Sequence, residues 1–126
     1  MKKESVCTAK APAAIGPYSQ AVKSGGFLFT SGQLPIDPVT GNIPEGDIKV
    51  HTHQVLKNLK AIAEAAGTDL SSVVKATVYL SSMKDFALVN EVYAEYFTEP
   101  FPARSAFQVA QLPLGASVEV EAVFEL

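Results

Sequence analysis

Arg104 stands in Phe101-Pro102-Ala103-Arg104-Ser105, where two prolines give way to a run that reads as a strand. A rigid backbone there would aim a planar guanidinium with little freedom. Its fork of N–H groups can hold a carboxylate through two parallel charge-assisted hydrogen bonds, a geometry that lysine does not match. A surface arginine or a structural salt bridge is the competing reading of the same residue. Glu119 and Glu121 lie two apart in Ser117 to Leu126, a second predicted strand, so they emerge on one face about 7 Å from each other. In a partly buried cleft, one carboxyl of such a pair can have a raised pKa and shuttle a proton or orient water. The ordinary reading is a solvated strand face.

Asn90 falls on the apolar stripe of a predicted helix, between Phe86 and Tyr93, and a buried amide needs partners. It either anchors a neighbouring loop through backbone hydrogen bonds or serves a site. Tyr93 reads as core, with its hydroxyl reaching a polar edge. His51 and His53, two apart on a helix, project roughly 200° apart around its axis and do not readily clamp one ion, so no metal site is expected. Cys7, the only cysteine, has no patterned base beside it, which argues against a thiol nucleophile. The chain also lacks a Gly-x-Ser-x-Gly elbow, a phosphate loop and a dinucleotide fingerprint. Spacing alone leaves the function open.

The elements that must position these residues follow from periodicity. Ser19 to Val22 and Phe27 to Ser31 flank Lys23-Ser24-Gly25-Gly26, a hairpin in which glycine supplies the positive φ of the turn. A loop dense in turn formers runs from Asp37 to Gly46. Asp47 then caps a helix whose stripe is Ile48, Val55, Leu59, Ile62 and Ala66, widened by Leu56 and Ala63 and stopped at Gly67. In Val73 to Leu80, Val74, Ala76, Val78 and Leu80 alternate with Lys75, Thr77 and Tyr79, the pattern of a strand with one apolar face. Ser82 and Asp85 resemble a capping box before a second helix with Phe86, Val89, Tyr93, Tyr96 and Phe97 on one face, ended by Pro100 and Pro102. Two strands follow, Arg104 to Val109 and Ser117 to Leu126, joined by a turn at Leu112-Pro113-Leu114-Gly115.

The order is ββαβαββ, an α+β structure with one mixed sheet and both helices packed on one face. With Val118, Val120, Ala122 and Phe124 inward, Glu119 and Glu121 point to the other face. If Ser105, Phe107 and Val109 also point inward, Arg104 joins the glutamates, together with Lys75, Thr77 and Tyr79. Such a face suits a solvated surface or a subunit interface with polar clefts.

The length of 126 residues and a 48% hydrophobic content against 18% charged residues read as one domain over residues 1–126. The early Glu4, Ser5, Thr8 and Lys10 interrupt what would have to be an apolar secretory stretch. No apolar run approaches the ~20 residues needed to cross a bilayer. One cysteine agrees with a reducing compartment, so a cytoplasmic location without membrane attachment is expected. Ten Lys and Arg against thirteen Asp and Glu, net −3, offer no general attraction for phosphate backbones, and no nucleic-acid partner is expected.

Several segments in order, Ala11-Pro12-Ala13-Ala14-Ile15-Gly16-Pro17-Tyr18-Ser19-Gln20-Ala21, Thr30-Ser31-Gly32-Gln33-Leu34-Pro35, Val89-Asn90-Glu91-Val92-Tyr93, Phe101-Pro102-Ala103-Arg104-Ser105 and Val118-Glu119-Val120-Glu121-Ala122, resemble the RidA/YjgF family. With Leu112-Pro113, the resemblance covers almost the whole chain after its leader. It implies a chorismate-mutase-like fold, a homotrimer with three clefts between neighbouring subunits, and cofactor-free hydrolysis of 2-iminobutanoate and 2-iminopropanoate to 2-keto acids and ammonia. It further implies that Arg104 holds the substrate carboxylate, that Glu119 positions or polarises water, and that the backbone N–H near Ala106 helps to fix the substrate. Tyr18, Ser31, Gly32, Asn90 and Tyr93 would line or support the cleft.

The sequence departs from the family pattern at two places. Ala106 stands where many members carry a cysteine, which rules out a thiol mechanism there. The connection from Thr98 to Phe101 looks short, which bears on specificity. Two other functions compete: a trimer that binds small carboxylates without turning them over, and a ribonuclease or translation inhibitor. The presence of Glu119 favours the enzyme over the first, and the acidic balance disfavours the second.

Overall fold

The structure, a computed structural model, describes residues 2–126. Its elements in chain order are β1 (Glu4–Val6), β2 (Ala21–Ser24), β3 (Phe27–Thr30), α1 (Ile48–Ala65), β4 (Val73–Leu80), α2 (Phe86–Tyr96), β5 (Ala103–Gln108) and β6 (Val118–Glu125). They form one six-stranded mixed sheet in the order β1-β2-β3-β6-β4-β5. Only β4 and β5 run parallel, and α2 is the crossover that a parallel pair requires. The α+β class and the two helices on one face agree with the sequence reading.

The sixth strand, β1, adds to the five strands of the expected ββαβαββ order and forms from Glu4–Val6, ahead of the expected hairpin. It pairs antiparallel with β2 and buries only Val6, too short a run to show an alternation. The helix α1 begins as expected, with Asp47 Oδ1 accepting from the backbone N–H groups of Lys49 and Val50 at 3.0 and 3.1 Å. Its stripe of Val55, Leu56, Leu59, Ile62 and Ala63 is fully buried against Leu28, Val78, Leu80, Val118 and Phe124 of the sheet. The chain leaves α1 through Gly67 at φ +86, a conformation that favours glycine.

Three expectations about side-chain direction need correcting. Val74 does not face the core. The ladder between β4 and β6 slips between Val73 and Lys75, so Val73 is buried and Val74 is 39% exposed, as expected where an extra residue bulges from a strand. Ser82 does not form a capping box with Asp85. Its hydroxyl instead accepts from Lys84 N at 3.2 Å in a 3-10 turn over Met83–Asp85 that precedes α2. Most consequential is β5, where the inward and outward faces are the reverse of those expected. Arg104 pairs with Ala76 and Ala106 with Val78, both core positions of β4, and in-register neighbours project to the same side. Arg104 and Ala106 therefore face the helices. Ser105 and Phe107 face the open side, where Lys75 Nζ donates to Ser105 Oγ at 3.0 Å and Phe107 packs edge-on to Tyr79 at 5.3 Å.

Candidate active site

The residues singled out from the sequence gather into two groups on opposite sides of the sheet. Around Glu119 the structure places Tyr18, Ser31 and Gly32, which with Pro12, Ile15, Leu34 and Leu114 line a cavity of about 440 Å³. Around Arg104 it places Asn90 and Tyr93, which with Ala94, Phe101 and Pro102 line a second cavity of about 410 Å³. Ala106 lines neither. It is half-buried on the helix side of β5 and packs against the core.

The first group is held by buried amides that the sequence reading passed over. Ser31 N–H donates to Gln20 O at 2.9 Å and Ser31 Oγ donates to Ser19 O at 2.6 Å, tying the Tyr18 loop to the end of β3. The buried Gln20 side chain accepts from Thr8 N at 2.7 Å and donates to Pro12 O at 2.7 Å, which fixes the wall that carries Pro12 and Ile15. Gln33 then bridges to Val120 on β6, with its N–H donating to Val120 O at 2.8 Å and its carbonyl accepting from Val120 N at 3.2 Å. That bridge presses Gly32 against Glu119. A Cβ added at Gly32 would lie 2.7 Å from Glu119 Oε2, so only glycine leaves the carboxylate its present place. Asn58, buried on α1, donates to Leu34 O and Ile36 O at 3.1 and 2.9 Å and holds the far wall. Its signal was available, since it sits three residues after Val55 and four before Ile62, an amide on an apolar stripe like Asn90.

Burial, reinforced by the charge of Glu121, holds the Glu119 carboxyl above its ordinary pKa. Tyr79 stands opposite Glu119 in the ladder, and its hydroxyl donates to Glu121. That bond, with burial and the charges of Glu121 and Glu119, pushes the phenol up to about 12. The open face thus carries Lys75, Thr77, Tyr79, Glu119 and Glu121 as expected, without Arg104.

In the second group the guanidinium is held on three sides. Arg104 Nη1 donates to Asn90 Oδ1 at 2.8 Å, so Asn90 serves the arginine rather than a loop backbone. The guanidinium lies 4.8 Å from the Tyr93 ring centre and 5.4 Å from that of Phe86, within cation–π range. Tyr93 is 7% exposed and stacks on Phe97 at 4.4 Å. Burial raises its pKa, partly opposed by the Arg104 charge. Its hydroxyl is buried without a hydrogen-bond partner among the described residues, so the polar edge expected for it is not reached within this chain. Arg104 itself lines the second cavity, where a planar guanidinium can pair with a carboxylate.

The two histidines are engaged separately, His51 with Ser117 Oγ at 2.9 Å and Pro44 O at 2.8 Å, and His53 with the Tyr96 hydroxyl at 2.8 Å. Among the described residues no helix is long and apolar enough to cross a membrane.

The α+β sheet thus carries a cavity lined by Glu119 on one side and a clamped arginine on the other. The sequence model of the endoribonuclease L-PSP family matches residues 8–125, and the chain belongs to that family, the family of RidA and YjgF. A RutC family protein of Pyrococcus horikoshii is 60% identical over 121 residues, 96% of each chain. The 2-iminobutanoate/2-iminopropanoate deaminase of Bos taurus is 52% identical over 118 residues, 94% of this chain and 86% of its own. The crystal structure of RidA from the Antarctic bacterium Psychrobacter superposes with a TM-score of 0.93 at 50% identity, covering 98% of this chain and 99% of that one.

Proposed function

We propose that this chain is a single-domain 2-imino acid deaminase that hydrolyses 2-iminobutanoate and 2-iminopropanoate, and that it works as a homotrimer with its sites between subunits. The observation that carries the reading is the separation of Arg104 from Glu119. Their strands flank β4, Arg104 pairs with Ala76 and Glu119 with Tyr79, and the side chains leave opposite faces. Two strand spacings laterally and three residues along the strand put their backbones roughly 14 Å apart. No small imino acid touches both within one chain. A second copy presenting its Arg104 cavity to the Glu119 cavity makes a complete site, and the name of the bovine relative, a 2-iminobutanoate/2-iminopropanoate deaminase, supports the reaction.

In that site the substrate carboxylate seats on the guanidinium, which Asn90 and the two aromatic rings hold in one orientation. The imine carbon then faces a water that Glu119 orients. The water oxygen bonds to the imine carbon while one of its protons passes through Glu119 to the nitrogen, giving a carbon that bears both hydroxyl and amine. A second transfer through Glu119 takes the hydroxyl proton to the amine, the carbon–nitrogen bond breaks, and ammonia leaves a 2-keto acid. One water is consumed. The imine carbon is already electrophilic, so orientation and one proton shuttle supply chemistry of a size general acid–base catalysis provides.

Coupling the protein to a threonine or serine dehydratase tests the reading. Keto-acid formation should accelerate over the uncatalysed decay of the imine, and light scattering should give the mass of three chains. No acceleration by a folded trimer would move the assignment to a carboxylate-binding protein. Gly32→Ala should spare the fold, since the atoms it meets are the end of a flexible side chain, yet displace the Glu119 carboxylate and slow turnover about tenfold to a hundredfold. Unchanged turnover in that variant would argue that Glu119 is placed by something other than Gly32.

A further inference from the structure

The cavity beside Glu119 has an apolar wall that a hydrocarbon side chain can cover. Its volume of about 440 Å³ lies within the ~300–1,000 Å³ of ordinary small-ligand pockets, and beside the polar Glu119, Ser31, Gln20, Gln33 and Tyr18 it has an apolar wall of Ile15, Leu34, Ile36, Pro113 and Leu114. Two of these side chains gain little from the fold where they stand. Leu114 is 70% exposed and Ile15 88% exposed. Single exposed apolar residues are common, but these two line the same cavity and one is strained. Leu114 adopts φ +59 and ψ +20, the left-handed region that a leucine enters only when the surroundings force it. The surroundings do so here: Leu112 and Ala116 are buried on either side of the turn, and Ala116 N–H closes it on Pro113 O at 3.1 Å. A strained residue whose side chain is turned out of the core and into a cavity belongs to the class found at ligand clamps.

We infer that Leu114 and Ile15 are specificity-determining residues that receive the hydrocarbon side chain of the substrate, and that this chain favours 2-imino acids with branched or longer apolar side chains over 2-iminopropanoate. The inference rests on the deaminase reading above, which fixes Glu119 at the reacting carbon and thereby directs the substituent at that carbon along the apolar wall.

Imino acids generated in place by a flavin amino-acid oxidase from alanine, 2-aminobutanoate and leucine, with semicarbazide to trap what the protein leaves, give kcat/KM for each. The wild type should prefer the leucine-derived imine over the alanine-derived one by about tenfold or more, the scale on which a hydrophobic pocket reads added methylenes. Leu114→Gly, which also relieves the strained φ, and Ile15→Ala should each lower that ratio about fivefold. The ratio is insensitive to any general loss of active protein. A ratio unchanged in both variants, with small imines still deaminated, overturns this inference and leaves the deaminase reading standing. An equal loss on every imine together with a changed oligomeric mass also overturns it, because Leu114 would then pack on a neighbouring subunit. Failure of the wild type to accelerate any imine overturns the deaminase reading and this inference with it.

Discussion

Replacing Arg104 with alanine should lower kcat/KM for a 2-imino acid about a thousandfold, the scale of losing one partner of a desolvated charge pair, about 4 kcal/mol. The loss should appear chiefly in KM if the carboxylate is held equally in ground and transition states, and in kcat if orientation at the imine carbon is what the guanidinium secures. Arg104→Lys should recover only a small part, because an ammonium keeps the charge but not the planar fork. The same substitution strips Asn90 Oδ1 of its donor and the Phe86 and Tyr93 rings of their cation. A stability loss of about 1–2 kcal/mol is expected, since the guanidinium is only half-buried and solvent screens part of its interaction. Mixing makes the test sharper. If each site takes its arginine from one subunit and its glutamate from another, trimers assembled from equal amounts of Arg104→Ala and Glu119→Gln chains should regain activity, because some interfaces then join an intact Arg104 to an intact Glu119. Inactive mixtures of exchanged, folded trimers would place both residues of each site in one chain and overturn the shared-site reading. An Arg104→Ala protein that is inactive and also monomeric would remove the carboxylate anchor as the explanation.

How far the sequence discloses such a site depends on which physical signal carries each residue. Long amphipathic stretches were legible: α1, with its Asp47 cap and buried stripe, needed only the helical period. The alternation of β6 placed Glu119 and Glu121 on the open face because Val118, Val120, Ala122 and Phe124 left no doubt which side was core. β5 gave no such contrast. Its largest apolar residue, Phe107, packs on Tyr79 at the open face, while the inward positions hold an arginine and an alanine. Hydrophobicity therefore pointed the wrong way, and the true direction comes from the register with β4, a long-range fact that local pattern does not contain. The same holds for Gln20, Gln33 and Asn58, whose roles depend on distant backbone atoms. The family resemblance brought Arg104 and Glu119 together as one site. In the single chain the two stand on opposite faces of the sheet, and on the proposed reading a second subunit joins them.

Replacing Glu119 with glutamine should lower kcat about a thousandfold while leaving KM within a few-fold, as expected of a proton carrier rather than a binding group. It should also make the protein more stable near neutral pH, and the sign follows from the environment of the carboxyl. Burial first, and the charge of Glu121 second, raise its pKa in the folded chain, so the folded state holds this proton more tightly than the unfolded state does. The stability linked to that proton is fully present below the unfolded pKa and is lost as pH rises through the raised folded value. Once ionised, the carboxylate works against the fold, and an uncharged amide of the same shape relieves it. The glutamine variant should therefore have a higher Tm than the wild type at pH 7, with the difference shrinking in acid. The wild-type rate should fall on the acid side at a pH above the usual carboxylate range, because Glu119 must be ionised to take a proton from water. Glu121→Gln, which leaves Lys75 and Tyr79 on that face but removes the second negative charge, should move this acid limb downward. If instead Glu119→Gln retains full turnover, or melts below the wild type at pH 7 with its fold intact, the carboxyl is a structural acceptor and the proton must travel by another group.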